Sequence, residues 1–148
     1  MNSEFTLAVH SLTYLALHPG QMATSNAIAE STAVHPVRVR KVLGLLRKQG
    51  YIATKEGCAG GFILRVNPEE IGLHEIYKIT SEGTLIPKCS PANPDCVVGA
   101  NMKSTLTTIF GNAEKQLESF LAGYSINDVA MLVRNHPSKP ISEIVTDL

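Results

Sequence analysis

The chain has 148 residues, of which 44% are hydrophobic, with 13 basic and 13 acidic side chains and three cysteines. This size predicts one domain with an ordinary core, and no apolar run reaches the roughly 18 residues that cross a membrane. The low, odd cysteine count and the absence of a basic signal segment in residues 1–6 argue against a disulfide-rich secreted scaffold, so we expect a cytoplasmic protein.

The balanced charge conceals a basic segment in the middle of the chain. Residues 34–65 carry seven Lys or Arg and one acid, whereas residues 1–33 carry two acids and no Lys or Arg, and residues 66–148 carry six cations and ten acids. Such a segment between acidic flanks is typical of a protein that presents one face to a polyanion. The alternative is a solvated helix surface.

Two helices are predicted at the start of the chain. Residues 4–20 contain a predicted amphipathic helix, which ends before Pro19-Gly20. Its apolar positions, three or four apart, are Phe5, Val9, Leu12 and Ala16. Thr24 is the predicted N-cap of a short second helix, in which Ala27 and Ile28 are buried.

The third predicted helix carries most of the basic charge. Pro36 suits its first position because the fixed φ is helical and the missing N–H has no partner there. The apolar stripe is Val39, Val42, Leu43 and Leu46. The cations off that stripe are Arg38, Arg40, Lys41, Arg47 and Lys48. Two short helices, the second basic and amphipathic, predict a helix-turn-helix whose second helix enters the DNA major groove.

A β-hairpin is predicted directly after this helix. Two β-prone runs, residues 51–55 and 62–66, flank a turn whose glycines permit its tight geometry. Those glycines are Gly57, Gly60 and Gly61. A helix-turn-helix followed by a hairpin indicates a winged helix, with Lys55 and Arg65 as contacts to the sugar–phosphate backbone or the neighbouring minor groove.

The C-terminal half is predicted to contain three helices and a loop. Residues 67–80 form a helix with Ile71, Ile76 and Ile79 as apolar positions, followed by a Pro-rich loop over residues 81–100. A long helix starts near Asn101. Its apolar stripe is Met102, Leu106, Ile109, Phe110, Ala113, Leu117, Phe120 and Leu121. Ser125 and Asp128 form a capping box for a last helix.

The stripe of the long helix requires a partner. A small winged helix has little surface left to cover it, so the prediction is pairing with the same helix of a second subunit. Packing back onto its own domain is the alternative. The predicted fold is therefore mostly α with a small β-hairpin: a winged helix-turn-helix over residues 1–80, a cysteine-containing loop over 81–100, and a dimerisation helix with a C-terminal helix over 101–148, all in one compact unit.

Together these segments resemble the bacterial Rrf2 family of winged-helix transcriptional regulators over nearly the whole chain. The resemblance is carried by residues 5–16, 28–52, 57–64 and 93–102. It implies a homodimer in which the long helices cross between subunits. It also implies that two helix-turn-helix units bind an imperfect palindrome in double-stranded DNA, usually as a repressor.

The resemblance also assigns residues to the DNA interface. It places Thr24, Ser25 and residues 35–48 at the DNA, with Gly60, Gly61 and Phe62 in the wing. Where relatives that bind a cluster carry a base-discriminating acid, this chain has Arg40, which implies a different operator. Arginine prefers guanine edges. The complete set of predicted DNA contacts is Thr24, Ser25, His35, Arg38, Arg40, Lys41, Arg47, Lys48, Lys55, Gly60, Gly61 and Arg65.

The cysteines depart from the pattern of the relatives that bind an iron–sulfur cluster, which carry three closely spaced cysteines and one further ligand. Cys89 and Cys96 are seven residues apart, and neither a third cysteine nor a nearby histidine follows. A cluster normally needs four protein ligands, so we expect no cofactor, and the scattered histidines predict no metal site.

A thiol switch is the alternative role for this loop. Lys88 would favour the thiolate of Cys89 or Cys96, and oxidation would shift the dimer helices. Cys58 at the wing tip is a third redox candidate. Unreactive thiols remain an alternative.

Three classes of function are compatible with these patterns. The first is a dimeric repressor that binds DNA and senses redox state through Cys89 and Cys96, with an iron–sulfur-dependent regulator as a variant. The second is a protein-interaction module built on a winged helix, which does not require a basic recognition face. The third, a thiol enzyme, lacks a C-x-x-C motif and a histidine placed to activate a cysteine, so we expect no enzyme.

Overall fold

The computed structural model of the protein describes residues 2–137, which form six helices and three strands. In chain order they are α1 (Ser3–Leu17), β1 (Met22–Ala23), α2 (Ser25–Thr32), α3 (Pro36–Lys48), β2 (Ile52–Lys55), β3 (Gly61–Leu64), α4 (Leu73–Ser81), α5 (Val97–Leu121) and α6 (Ile126–Arg134). This arrangement confirms the predicted winged helix-turn-helix with a long additional helix.

Helix α1 lies at the centre of the domain. It begins where the Asn2 side chain accepts hydrogen bonds from the backbone N–H groups of Glu4 and Phe5, both at 3.1 Å, which satisfies two of the donors at the helix start. Helices α2, α3, α4 and α6 all pack against it. Its buried apolar residues are Leu7, Ala8, Leu12 and Leu15. The helix-turn-helix and the C-terminal half of the chain therefore share one hydrophobic core.

The helix-turn-helix is held by the predicted apolar stripe of α3, since Val39, Val42, Leu43 and Leu46 are all buried. In α2 one expectation is wrong: Ala27 is only half-buried, whereas Ile28 and Ala29 are buried. Ala29, and not Ala27, shares the buried side of α2 with Ile28. Ala33 then ends α2 in the left-handed region at φ 52°.

The wing is a three-stranded antiparallel sheet in the order β1-β3-β2. The strand β1 was not predicted, and it pairs with the outer side of β3, where Ala23 lies opposite Phe62. The backbones approach closely at this point. A Cβ atom on Gly61 would lie 2.6 Å from the carbonyl oxygen of Ala23, and one on Gly60 would collide with the carbonyl of Lys55. Both glycines are thus required by the packing of the sheet.

Two boundaries in the C-terminal half differ from the predictions. The helix expected over residues 67–80 is divided, because a single 3-10 turn at Pro68–Glu70 precedes Ile71, and α4 starts only after Gly72. Helix α5 begins at Val97, so the last residues of the predicted loop are helical. The capping box of α6 is confirmed: Ser125 N–H donates to Asp128 Oδ2 at 2.7 Å, and this hydrogen bond lowers the pKa of Asp128.

Helix α5 is attached to the domain through a buried carboxylate. Glu114 Oε1 accepts hydrogen bonds from Tyr77 Oη on α4 and from the backbone N–H of Gly83, each at 2.7 Å. Burial and this hydrogen bond raise the pKa of Tyr77. Despite the length of α5, no helix among residues 2–137 is both long and apolar enough to span a membrane. This hydrogen-bonded carboxylate is one of the contacts that hold α5 on α4.

Replacing Glu114 with Leu is expected to lower the free energy of unfolding by about 2 to 4 kcal/mol, because the buried Tyr77 hydroxyl and the partly buried N–H of Gly83 lose their acceptor. Glu118→Leu is the matched control one turn later, since it removes a partly exposed ion pair with Lys78, whose atoms are 3.5 Å apart. That change should cost about 0 to 1 kcal/mol. Urea unfolding followed by circular dichroism measures both variants. Equal costs would contradict the anchoring role of Glu114.

Candidate nucleic-acid interface

The candidate interface is the face of α3 that points away from the core. On a helix, residues at i, i+4 and i+7 share a face, and the buried stripe occupies the opposite side. The outer face, as we use the term below, consists of Val37, Arg40, Lys41, Gly44 and Lys48. It is exposed along its length apart from partly covered Gly44, and it carries three cations and no acid.

Two predicted cations contact the start of α1. Arg38 Nη2 donates to Ser3 Oγ at 2.7 Å, and Lys41 Nζ forms an ion pair with Glu4 Oε1 at 2.8 Å. The Lys41 side chain is 75% exposed, so this pair adds little stability. The two contacts orient the side chains of Arg38 and Lys41 toward α1. A phosphate would therefore have to compete with Glu4 for Lys41.

A third cation joins α3 to the wing. Arg47 Nη1 donates to Thr54 Oγ1 on β2 at 3.1 Å. This contact lies on the opposite flank of α3 from the contacts to α1. Arg47 therefore links α3 to the wing.

The remaining cations of the segment are available to a ligand. Within residues 2–137, the side chains of Arg40, Lys48, Lys55 and Arg65 are exposed and form no hydrogen bond or ion pair. Arg40 and Lys48 lie on the outer face, whereas Lys55 ends β2 and Arg65 directly follows β3. These four can bind an anion without breaking an internal contact.

The other predicted contacts have roles in the fold itself. Thr24 Oγ1 accepts from the backbone N–H of Ala27 at 3.1 Å, and His35 Nδ1 accepts from the N–H of Val37 at 3.3 Å. Both side chains thus cap helix starts. Ser25 is the first residue of α2 and is half-buried. Thr24 and Ser25 lie at the start of α2, next to Gly61 of the wing, whereas His35 lies at the start of α3.

Part of this surface was missed by the sequence analysis. Val37 and Gly44 lie on the outer face, and Ser3 and Glu4 contact its cations. The first two were visible in principle, because they share the helical period of Lys41 and Lys48. The contacts of Ser3 and Glu4 are tertiary and had no local signal.

The cysteine loop ends at the N-terminus of α5. Cys96 is the N-cap residue, and hydrogen bonds from the backbone N–H groups of Gly99 and Val98 lower the pKa of its thiol. The cause is the start of α5 and not the charge of Lys88, which the sequence favours. Cys89 is half-buried with its Sγ 3.9 Å from the carbonyl oxygen of Pro87, and Cys58 is exposed at the wing tip.

Comparisons with known proteins agree on one family. The model of the family described as Rrf2, iron-dependent transcriptional regulator, matches residues 1–131. YwnA of Bacillus subtilis, named as a candidate HTH-type transcriptional regulator, is 29% identical over 130 residues, which cover 87% of this chain and 96% of YwnA. A solved structure from Lactobacillus plantarum, described as a candidate transcriptional regulator, superposes with a TM-score of 0.78 at 28% identity and covers 99% of both chains. T. potens IscR, at 21% identity, has a TM-score of 0.67, covers 94% of this chain and 90% of its own, and supports the fold alone.

The iron in the family description does not fit the donors of this loop. Cys89 and Cys96 are its two thiols. Within residues 2–137, no three side chains of His, Cys, Asp or Glu come together as metal ligands. A cluster normally requires four protein ligands, so the loop of one subunit does not complete such a site.

Proposed function

The chain belongs to the Rrf2 family of transcriptional regulators, which are not enzymes, and we propose that it is a dimeric, sequence-specific DNA-binding repressor. The observation that carries this proposal is the outer face of α3, which is basic, free of acids and flanked by the wing. Its available cations, Arg40 and Lys48, can contact base edges and phosphates without first losing internal partners. A protein-interaction module would not require this concentration of charge.

The mechanism follows from the placement of the elements. Two subunits insert α3 into successive major grooves, so that the outer face meets the base edges. Lys55 and Arg65 then contact the backbone or the minor groove beside each site. The exposed part of the apolar stripe of α5 pairs the subunits. The distance between the two α3 helices sets the spacing of the half-sites.

Selection of binding sites from random duplexes tests the proposal. With reduced, metal-free protein, we expect enrichment of an inverted repeat with half-sites about 10 base pairs apart, and binding that weakens steeply with added salt. The control is a variant in which Arg40 and Lys48 are both Ala, which should enrich nothing. If the unmodified protein also enriches nothing, before and after anaerobic reconstitution with iron and sulfide, the proposal is wrong.

We also propose that oxidation of the cysteine loop lowers DNA affinity. Hydrogen peroxide oxidises the Cys96 thiolate to a sulfenic acid with release of hydroxide, and the Cys89 thiol then displaces water to form a disulfide. The loop connects α4 to α5, so this bond would change the position of the long helix. Replacing both cysteines with Ser should preserve DNA binding and remove the response to peroxide. A response that survives in the double variant would place the switch elsewhere.

Cys96 is expected to be alkylated by iodoacetamide at lower pH than the thiol of N-acetylcysteine amide. The hydrogen bonds from Gly99 and Val98 lower the pKa of Cys96, and only the thiolate reacts, so the rate rises to its plateau at lower pH. Mass spectrometry of the peptide that contains Cys96 measures the pH profile. The urea-unfolded protein is the control, because the helix start no longer exists there. Identical profiles in both states would contradict the helix-start effect.

A further inference from the structure

Val37 is a large apolar side chain that the fold leaves in solvent. It is the second residue of α3 and is 57% exposed, on the outer face between the flanks that contact α1 and the wing. A β-branched residue is not a favoured helix former, and at this exposure it contributes little to the core. A single exposed valine is common in proteins, so its neighbours decide what it means.

Gly44 lies on the same line of α3, two turns after Val37. A Cβ atom at this position would meet no atom within 4 Å, and the backbone there is ordinary helix. The fold therefore does not require glycine, which is the poorest helix former after proline. The outer face thus presents the apolar side chain of Val37. Two turns later, at Gly44, it has no side chain, so another molecule can approach the helix backbone there.

The cations around this strip define the chemistry of the partner. Arg40 and Lys41 lie between Val37 and Gly44, and Lys48 follows one turn later. A partner must offer anions at the rim, hydrogen-bond acceptors for Arg40, and an apolar group opposite Val37. The major groove of DNA offers all three. Phosphates line its rim, guanine presents hydrogen-bond acceptors, and thymine presents a C5-methyl group.

We propose that Val37 contacts the methyl group of a thymine in each half-site, next to the base read by Arg40, and that the open surface at Gly44 lets the groove floor approach. The inference rests on the proposed DNA-binding function and adds a base requirement to it. Each half-site then needs a thymine methyl group within one or two base pairs of a guanine.

The test replaces each thymine of the selected operator, in turn, by deoxyuridine, which lacks only the methyl group. For the wild-type protein we expect one position per half-site at which this change weakens binding about fourfold, the value for one buried methyl group. In Val37→Ala the same change should weaken binding less than about 1.5-fold, because the contact is already lost. Fluorescence anisotropy measures all four combinations.

Lys48→Ala is the control for a general loss of affinity. It should weaken binding to every duplex and leave the penalty for deoxyuridine unchanged. If the wild-type protein binds the operator but no thymine shows a penalty, or if the penalty persists in Val37→Ala, this inference is wrong and the proposed function stands. If the wild-type protein selects no operator, before and after anaerobic reconstitution with iron and sulfide, both are wrong.

Discussion

Replacing Ile109 with Asp is expected to convert the protein into a monomer and to abolish binding to the palindrome. Ile109 lies near the middle of α5, and 56% of its surface is exposed in the single chain. If α5 pairs with its copy across a two-fold axis, both copies of Ile109 enter the interface. An uncompensated carboxylate there costs several kcal/mol per subunit, so the dissociation constant of the dimer should rise more than about 1000-fold.

Thr108→Asp is the matched control for this prediction. It adds the same charge to the adjacent residue, which is exposed and turned about 100° around the helix axis from Ile109. Analytical ultracentrifugation should find a dimer for Thr108→Asp and a monomer for Ile109→Asp. Circular dichroism should find both folded. A dimeric Ile109→Asp that still binds the palindrome would show that α5 does not pair the subunits.

The structure shows which part of the α5 stripe the single chain leaves in solvent. The predicted stripe of α5 is divided: Leu106 and Leu117 are half-buried toward the domain, whereas Met102, Ile109, Ala113 and Phe120 are exposed. Phe120 alone leaves 64% of its surface in solvent. Packing back onto the domain, the alternative drawn from the sequence, therefore accounts for only part of the stripe. Phe110, which also belongs to the predicted stripe, is 37% exposed and is intermediate between the two parts.

The long amphipathic helices could be predicted from the sequence because their periodicity is local. The stripe of α3 spans about two turns, and every residue in it is buried as expected. The strand β1 could not be predicted, because a strand of two residues is too short to show a periodic pattern of hydrophobicity. It exists only through its pairing with β3. The start of α5 was also missed, because Val97 and Val98 follow a Pro-rich loop and are exposed.

The candidate site could be predicted only as far as single helices define it. The cations of α3 were evident, but which of them have internal partners depends on residues distant in the chain. Arg38 meets Ser3 across 35 positions, and Glu114 meets Tyr77 across 37. A single acid in an amphipathic helix resembles a solvated residue, so its burial follows from tertiary packing alone. From the sequence, Arg38 and Arg40 are equivalent candidates for DNA contacts. In the part of the chain that the structure describes, Arg38 is bonded to Ser3 and Arg40 has no internal partner.

Arg40→Ala is accordingly expected to weaken binding to the selected operator about 100-fold. A bidentate contact from Arg to a guanine contributes about 1 to 3 kcal/mol, and both subunits lose it. Arg40→Lys should not restore binding, because Lys keeps the charge but lacks the two parallel donors. Affinity for random duplexes should fall much less, since each subunit loses only one cation. Competition binding with operator and random DNA measures both.

Arg38→Ala provides the comparison that separates base reading from general attraction. Its guanidinium is bonded to Ser3 Oγ and lies on the flank of α3 that faces α1, so we expect a loss of less than about tenfold that is similar for operator and random DNA. Arg134→Ala, in the last turn of α6, should change neither. Because Arg40 is the exposed arginine without an internal partner on the outer face, specificity should depend on Arg40 and not on Arg38. A larger loss in Arg38→Ala would instead mean that DNA displaces its contact with Ser3, and that the recognition surface extends to the start of α1.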